Sequence, residues 1–382
     1  MQQYTRRSRV AAALNHKEPD RVPCDITIEP TSYQILCDYF GKKYEPYWWD
    51  DWNHAYPSPE VLEKLDVDVY HVPLKATPKE FDIMKTEFKD EWGITKKKVM
   101  NPDGSFMYNL MDNPLKDAEC TADIEAYPWP DPEEIVDVSE LEEKTKFLYN
   151  NTDFALMATF GGNVFERAHY LRGMANFLED LIAEPEIAQA LMKKVLEIQM
   201  KVDENVLRAA GKYLTYMRFN GEDVGTQTGQ LISTELFLRE VRQNLEMEWK
   251  TAKKIFREEN PDAKICMHSC GAVFDLIGVF NDMGADIVNP IQPRAKGMNT
   301  SLIKKTYGDR VCFHGAVDTQ EVLNHGTVED VRQEVRTRIR DLAPGGGYIC
   351  APSHNVQSGM PVENVIEMYE AIHEFGKYPI CC

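Results

Sequence analysis

The sequence predicts an α/β chain folded as a (β/α)8 (TIM) barrel, with an N-terminal helical extension and a β-hairpin insertion. Three observations carry this. Eight short apolar runs read as strands, and nearly all are followed by a helical pattern, the alternation of a parallel sheet. The length, 382 residues, suits one large barrel with additions. No G-x-G-x-x-G or G-x-x-x-x-G-K-S/T loop follows a strand, which argues against a doubly wound nucleotide-binding sheet. The glycines of 344–347 (PGGG) precede a strand and are turn residues.

In chain order, 6–16 is a helix candidate, followed by Glu18-Pro19-Asp20-Arg21. The first strand is 22–28, ending at Glu29-Pro30, and 32–40 is helical. The aromatic, acidic stretch 44–56 (YEPYWWDDWNHAY) reads as a loop or lid over something apolar, or equally as a patch packed on a neighbouring helix or subunit. A short helix at 59–65 leads to the second strand, 67–72. The runs 88–100 (FKDEWGITKKKVM) and 105–110 flank Asn101-Pro102-Asp103-Gly104, a turn signal, and form the hairpin insertion around 88–110. Prolines 128, 130 and 132 make a non-helical connector. A helix at 138–149 precedes the third strand, 154–160. Helices at 164–172, 174–182 and 185–210 lead to the fourth strand, 213–219. The long helix 234–259 precedes the fifth, 264–269. The last three strands, 287–290, 311–315 and 347–351, alternate with helices at 274–283, 299–307, 328–342 and 362–376. All of this is expected to form one domain spanning 1–382.

The net charge of −19 removes the basic footprint that a nucleic-acid backbone requires. No apolar run has membrane-spanning length. The N-terminal apolar stretch is broken by Asn15 and His16, a poor secretory signal, so cytoplasm is expected. Nine cysteines without regular spacing read as free thiols in a reducing compartment. Oligomeric state, a homodimer included, stays open.

Barrel chemistry gathers at the carboxyl ends of the strands. Those positions hold Asp25, Glu29, Asn220, Glu222, Asp223, His268, Cys270, Asn289, Gln292, His314, Asp318, Cys350 and His354. The set is rich in metal-ligand types and poor in lysine and arginine. In 264–276 (KICMHSCGAVFDL), residues two apart share a strand face, so Cys266, His268 and Cys270 lie together. Imidazole and thiolate favour zinc over calcium or magnesium. His354 is favoured as third ligand because it lies past its strand's end, with Cys350 second; Glu222 could close the site. Glu222 and Asp223 are the catalytic candidates, though both also suit helix capping. Glu29, Asn220, Gln292 and His314 are substrate-binding candidates; His314 also suits an ordinary core histidine.

Five stretches carry a family resemblance: 113–132 (NPLKDAECTADIEAYPWPDP), 166–180 (ERAHYLRGMANFLED), 222–235 (EDVGTQTGQLISTE), 288–298 (VNPIQPRAKGM) and 345–355 (GGGYICAPSHN). With these the chain resembles the uroporphyrinogen decarboxylase superfamily, which includes the corrinoid (cobalamin)-dependent methyltransferases. The resemblance implies a (β/α)8 barrel. The decarboxylase branch opens with an arginine-rich RQAGRY-type loop, whereas 23–34 here reads PCDITIEPTSYQ, without arginine. The methyltransferase branch binds zinc through His-x-Cys, matched by His268 and Cys270, plus a later cysteine whose place His354 takes. The implied activity is zinc-dependent methyl transfer between a small donor or acceptor and the cobalt of a corrinoid protein. Two alternatives stand beside it: a metal-free decarboxylase, and a non-catalytic corrinoid-protein binding module.

Overall fold

The computed structural model describes residues 4–44, 54–74, 86–101 and 106–381. Its strands are β1 (Val69–His71), β2 (Glu87–Lys89), β3 (Thr95–Met100), β4 (Phe106–Leu110), β5 (Ala155–Thr159), β6 (Tyr216–Arg218), β7 (Lys264–His268), β8 (Ile287–Ile291), β9 (Cys312–Val317) and β10 (Tyr348–Pro352). Seven of them form one curled parallel sheet in the order β1-β5-β6-β7-β8-β9-β10. The order follows the chain, as right-handed strand–helix–strand units laid side by side require.

The expected first strand, 22–28, is the one departure from eight regular strands. It lies between β10 and β1 and makes bridges rather than a ladder. The Cys350 amide donates to the Pro23 carbonyl at 2.9 Å, the Asp25 amide to the Cys350 carbonyl at 3.1 Å, and the Asp68 amide to the Cys24 carbonyl at 3.0 Å. Pro23 has no amide to offer, which limits pairing at its own position. The segment still closes the sheet, so the architecture is a TIM-like barrel of seven strands and a bridging eighth segment.

The helix Arg6–Leu14 begins at a capping box between Thr5 and Ser8. Its Val10 and Leu14 pack against Val69, Ala155, Met157, Tyr216, Cys266, Ile287, Cys312 and Ile349, an apolar layer drawn from every strand of the sheet. The predicted N-terminal extension is thus a plug at the amino ends of the strands. A buried ion network fastens it: Arg9 and Arg21 each reach the fully buried Asp68 at 2.6 Å.

The insertion has three antiparallel strands, β2-β3-β4, where a two-stranded hairpin is expected. The first arm folds back at Asp90, whose carboxylate accepts the amides of Trp92 and Ile94. Of the expected turn, 102–104 lie outside the described residues, as do 105 of the run that follows and 45–53 of the aromatic stretch. The long helix expected at 234–259 is interrupted by a π-helical turn, Phe237–Val241, before Arg242–Glu259. No helix among the described residues is long and apolar enough to cross a membrane.

Candidate metal centre and substrate cavity

Inward-facing strand residues recur every second position. Two residues beyond the apolar layer, the inward positions are His71, Thr159, Arg218, His268, Asn289, His314 and Ala351, all but the last of them polar. The barrel interior therefore turns polar at the carboxyl ends of its strands. Most of these groups are wired together. His71 Nε2 donates to Asp25 Oδ1 at 2.8 Å and His314 Nε2 donates to Asp25 Oδ2 at 2.8 Å. Asn289 Nδ2 donates to His314 Nδ1 at 2.7 Å, and Asn289 Oδ1 accepts from His268 Nδ1 at 2.6 Å. Burial alone would raise the Asp25 carboxyl; the two imidazoles beside it outweigh that and hold it well below the usual carboxylate range.

With its Nδ1 proton committed to Asn289, His268 presents the Nε2 lone pair to the barrel mouth. Cys270 Sγ stands 3.5 Å and Asp223 Oδ1 3.8 Å from that nitrogen. One ligand atom from each of Asp223, His268 and Cys270 lies within 4.8 Å of the other two. The loops after β6 and β7 are locked to make this possible. The Cys270 amide donates to Asp223 Oδ1 at 2.7 Å, and the Ala272 amide to the Thr226 carbonyl at 2.9 Å. Gly271, at φ 85°, allows the approach: a Cβ there would meet the Gly225 carbonyl carbon at 2.6 Å. Burial, reinforced by Asp223 and Glu166, pushes the Cys270 thiol well up, and burial holds the His268 imidazole down. Neutral imidazole, carboxylate and a thiol that a cation would ionise form a donor set that fits zinc.

A cavity of about 380 Å³ opens beside this cluster, at Asp223 and His268. That is at the small end of ligand pockets, roughly 300–1,000 Å³. His268, Asp223, Arg218, Glu166, Tyr170 and His354 line it, and Met107, Tyr108 and Asn109 of β4 reach over it from the insertion. Glu166 and Tyr170 face it from the helix Val164–Arg172, one turn apart, with the Tyr170 hydroxyl donating to Glu166 Oε1 at 2.9 Å. Burial and the Asp223 charge push the Glu166 carboxyl up to about 8.

The expected site residues divide into those at the cavity and those behind it. His268, Asp223, Glu29, Asn220 and His354 line the cavity. Asp223 stands with His268 and Cys270. His354 shares the cavity but is outside that close set; burial and its histidine neighbours lower its imidazole to about 4. Cys350 is turned away. Ile349 belongs to the inner layer, so Cys350 faces the helices and packs with Cys24 and Val22. Glu222 caps a helix instead of facing the cavity: its carboxylate accepts the amides of Val164, Phe165 and Glu166. Gln292 and His314 are braces. Gln292 Oε1 accepts the Gly271 amide at 2.7 Å, and His314 sits between Asn289 and Asp25.

Arg218, Glu166, Tyr170 and His71 carry weight that the motif reading does not assign them. An arginine inside the apolar run 213–219 (KYLTYMRF spans it) is the signal that points to the first. The others become visible only when helix and barrel are brought together.

A family model described as Uroporphyrinogen decarboxylase (URO-D) matches residues 111–375, well over half of the chain. The uroporphyrinogen decarboxylase of Pseudoalteromonas translucida (strain TAC 125) is 35% identical over 79 residues, 21% of this chain and 22% of that protein. That of Actinobacillus succinogenes is 29% identical over 80 residues, with the same coverage. The matched stretch spans about a fifth of the length of these curated relatives. Among solved structures, a methyltransferase from Methanosarcina mazei superposes over 98% of this chain and 99% of its own, with TM-score 0.69 and 16% identity, so the two share a fold. The extent of the family match, on a barrel whose polar groups gather at the expected end, establishes that the chain belongs to the uroporphyrinogen decarboxylase family.

Proposed function

We propose that this chain is a zinc-dependent methyltransferase. It moves a methyl group between a small substrate, a thiol or a methylated compound such as a methyl ether, and the cobalt of a corrinoid held by a partner protein. The observation that carries the reading is the close set of Asp223, His268 and Cys270, of which Asp223 and His268 line the cavity. The shared fold with a Methanosarcina mazei methyltransferase supports it, as does the His-x-Cys resemblance. The setting is cytoplasmic, in keeping with the free cysteines among the described residues.

Asp223, His268 and Cys270 would hold the zinc. Bound there, it supplies Lewis acidity that lowers the pKa of a coordinated thiol or polarises an ether oxygen. The protein's own groups do the rest. Asn289 fixes the His268 tautomer and ring orientation. Glu166, protonated at neutral pH and steadied by Tyr170, holds a proton beside the cavity for a departing or arriving substrate group. Glu29 and Asn220 line the wall where substrate binds. The open carboxyl-end face is where the corrinoid partner presents its cobalt.

A metal-free decarboxylase is the second reading, favoured by the descriptions of the curated relatives. Against it, Arg218 is the one arginine or lysine lining the cavity among the described residues, and a porphyrinogen brings several carboxylates. Methylcobalamin mixed with the zinc-loaded protein and a panel of thiols separates the two. Methyl transfer that disappears in His268→Ala supports the proposal. Porphyrinogen turnover that survives His268→Ala would replace it with the decarboxylase.

A further inference from the structure

The inward polar layer contains one group without a counterpart. His71, His314, Asn289 and His268 are joined through Asp25 into a continuous network. Thr159 donates to the Met157 sulfur at 3.6 Å. Arg218, on the same layer, has no hydrogen-bond or ion-pair partner among the described residues, and its Nε is buried. Asp25, the carboxylate of that layer, is already spent on two imidazoles.

Arg218 is half-buried, and its Nε has lost its hydration without gaining a partner, which carries a cost. Such a group is compensated when an anion arrives. Arg218 also stands where a ligand can reach it. It lines the main cavity beside His268 and Asp223, and it lines a side chamber of about 20 Å³. Thr27, His54, Thr159 and Arg218 are common to both spaces, so the chamber opens off the cavity at the arginine. A volume of that size holds about one water-sized group. The chamber admits one oxygen of a ligand's head group while the rest of the ligand stays in the larger space. Arginine's planar fork matches a carboxylate bidentately.

We propose that Arg218 is the anchor for a single carboxylate on the small substrate, which makes the substrate a monoanionic acid held with its opposite end toward Asp223, His268 and Cys270. This rests on the reading of the cavity as the substrate site and adds the substrate's chemical class. One arginine, with a chamber that small, selects one carboxylate rather than several.

The test is binding, read separately from catalysis. Acetate, benzoate and succinate are titrated against the whole protein alongside acetamide and benzamide, by ligand-observed NMR. Wild type, Arg218→Gln and Arg218→Lys are compared, each with its zinc content measured. The monocarboxylates are expected to bind in preference to their amides. That preference is expected to weaken by roughly 10- to 100-fold in Arg218→Gln, the worth of a charged hydrogen bond. Arg218→Lys is expected to keep part of it as a point charge, and zinc content is expected to stay at the wild-type level in both variants. Equal binding of acids and amides by the wild type would overturn the proposal, whether or not the variants fold. So would a preference that survives Arg218→Gln. Loss of methyl transfer or absence of zinc in the wild type would count against the methyltransferase reading and leave the acid-over-amide comparison standing by itself.

Discussion

His268 and Asn289 are register partners on β7 and β8, and their side chains are joined by a 2.6 Å hydrogen bond from Nδ1 to Oδ1. This contact decides which imidazole nitrogen faces the cavity. Asn289→Ala should therefore weaken zinc binding by about 10–100-fold while Asp223, His268 and Cys270 all remain, as loss of an outer partner of a ligand does. Competition with a chelator of known affinity measures it. Unchanged affinity would show that the ring is oriented by something else.

Glu166 should report on the metal. In zinc-free protein its carboxyl is pushed up to about 8 by burial and by the Asp223 charge. A bound dication favours the ionised form, so zinc should move the titration to lower pH. Carbon-13 NMR of labelled glutamate, with Glu166→Gln to assign the signal, follows the shift. A titration indifferent to zinc would separate Glu166 from the site.

Stability of the zinc-free protein should fall on acidification. Burial lowers His169 and His354 to about 4, against about 6.5 in an unfolded chain. Between those values the unfolded state binds more protons, so stability rises with pH across that window and is lost as pH falls through it. Asp25 acts in the same direction at lower pH: its depressed carboxyl contributes above its unfolded pKa and is lost as pH falls toward its folded one. Urea denaturation from pH 4 to pH 7 tests this. A flat profile would contradict it.

Asp68→Ala should destabilise the fold by about 1.5–3 kcal/mol, since it removes the buried carboxylate that Arg9 and Arg21 share and leaves them only the more exposed Asp20 and Asp66. The lesion lies at the amino-end plug, far from the strand ends that carry the site. Zinc stoichiometry of the folded fraction should stay at the wild-type level. A cost near that of an exposed pair, under about 1 kcal/mol, would mean the network is solvated.

Much of this architecture was readable from alternation alone. The helices Val164–Arg172 and Pro185–Ala210 stand where the apolar periodicity puts them. The His268 and Cys270 pairing follows from two-residue spacing. Cys350 was not readable. Strands of a parallel sheet are buried on both faces, so no hydrophobic alternation says which parity points inward, and β10 is buried throughout. Asp223 and Glu222 show the same difficulty in a loop. Adjacent acids of like chemistry are sent to opposite tasks, one beside Cys270 and one under a helix terminus, by backbone turns that no local pattern encodes. The bridging segment 22–28 reads as a strand by composition, but its pairing depends on how the sheet closes.

The central claim is that Asp223, His268 and Cys270 hold a zinc ion that methyl transfer requires. Elemental analysis of the purified protein, set beside its methyl-transfer rate, tests it most directly. The expected result is one zinc per chain in active protein, lost along with activity in His268→Ala and Cys270→Ser, diminished in Asp223→Asn, and retained in Cys350→Ser. Full methyl transfer by protein without stoichiometric zinc would contradict it.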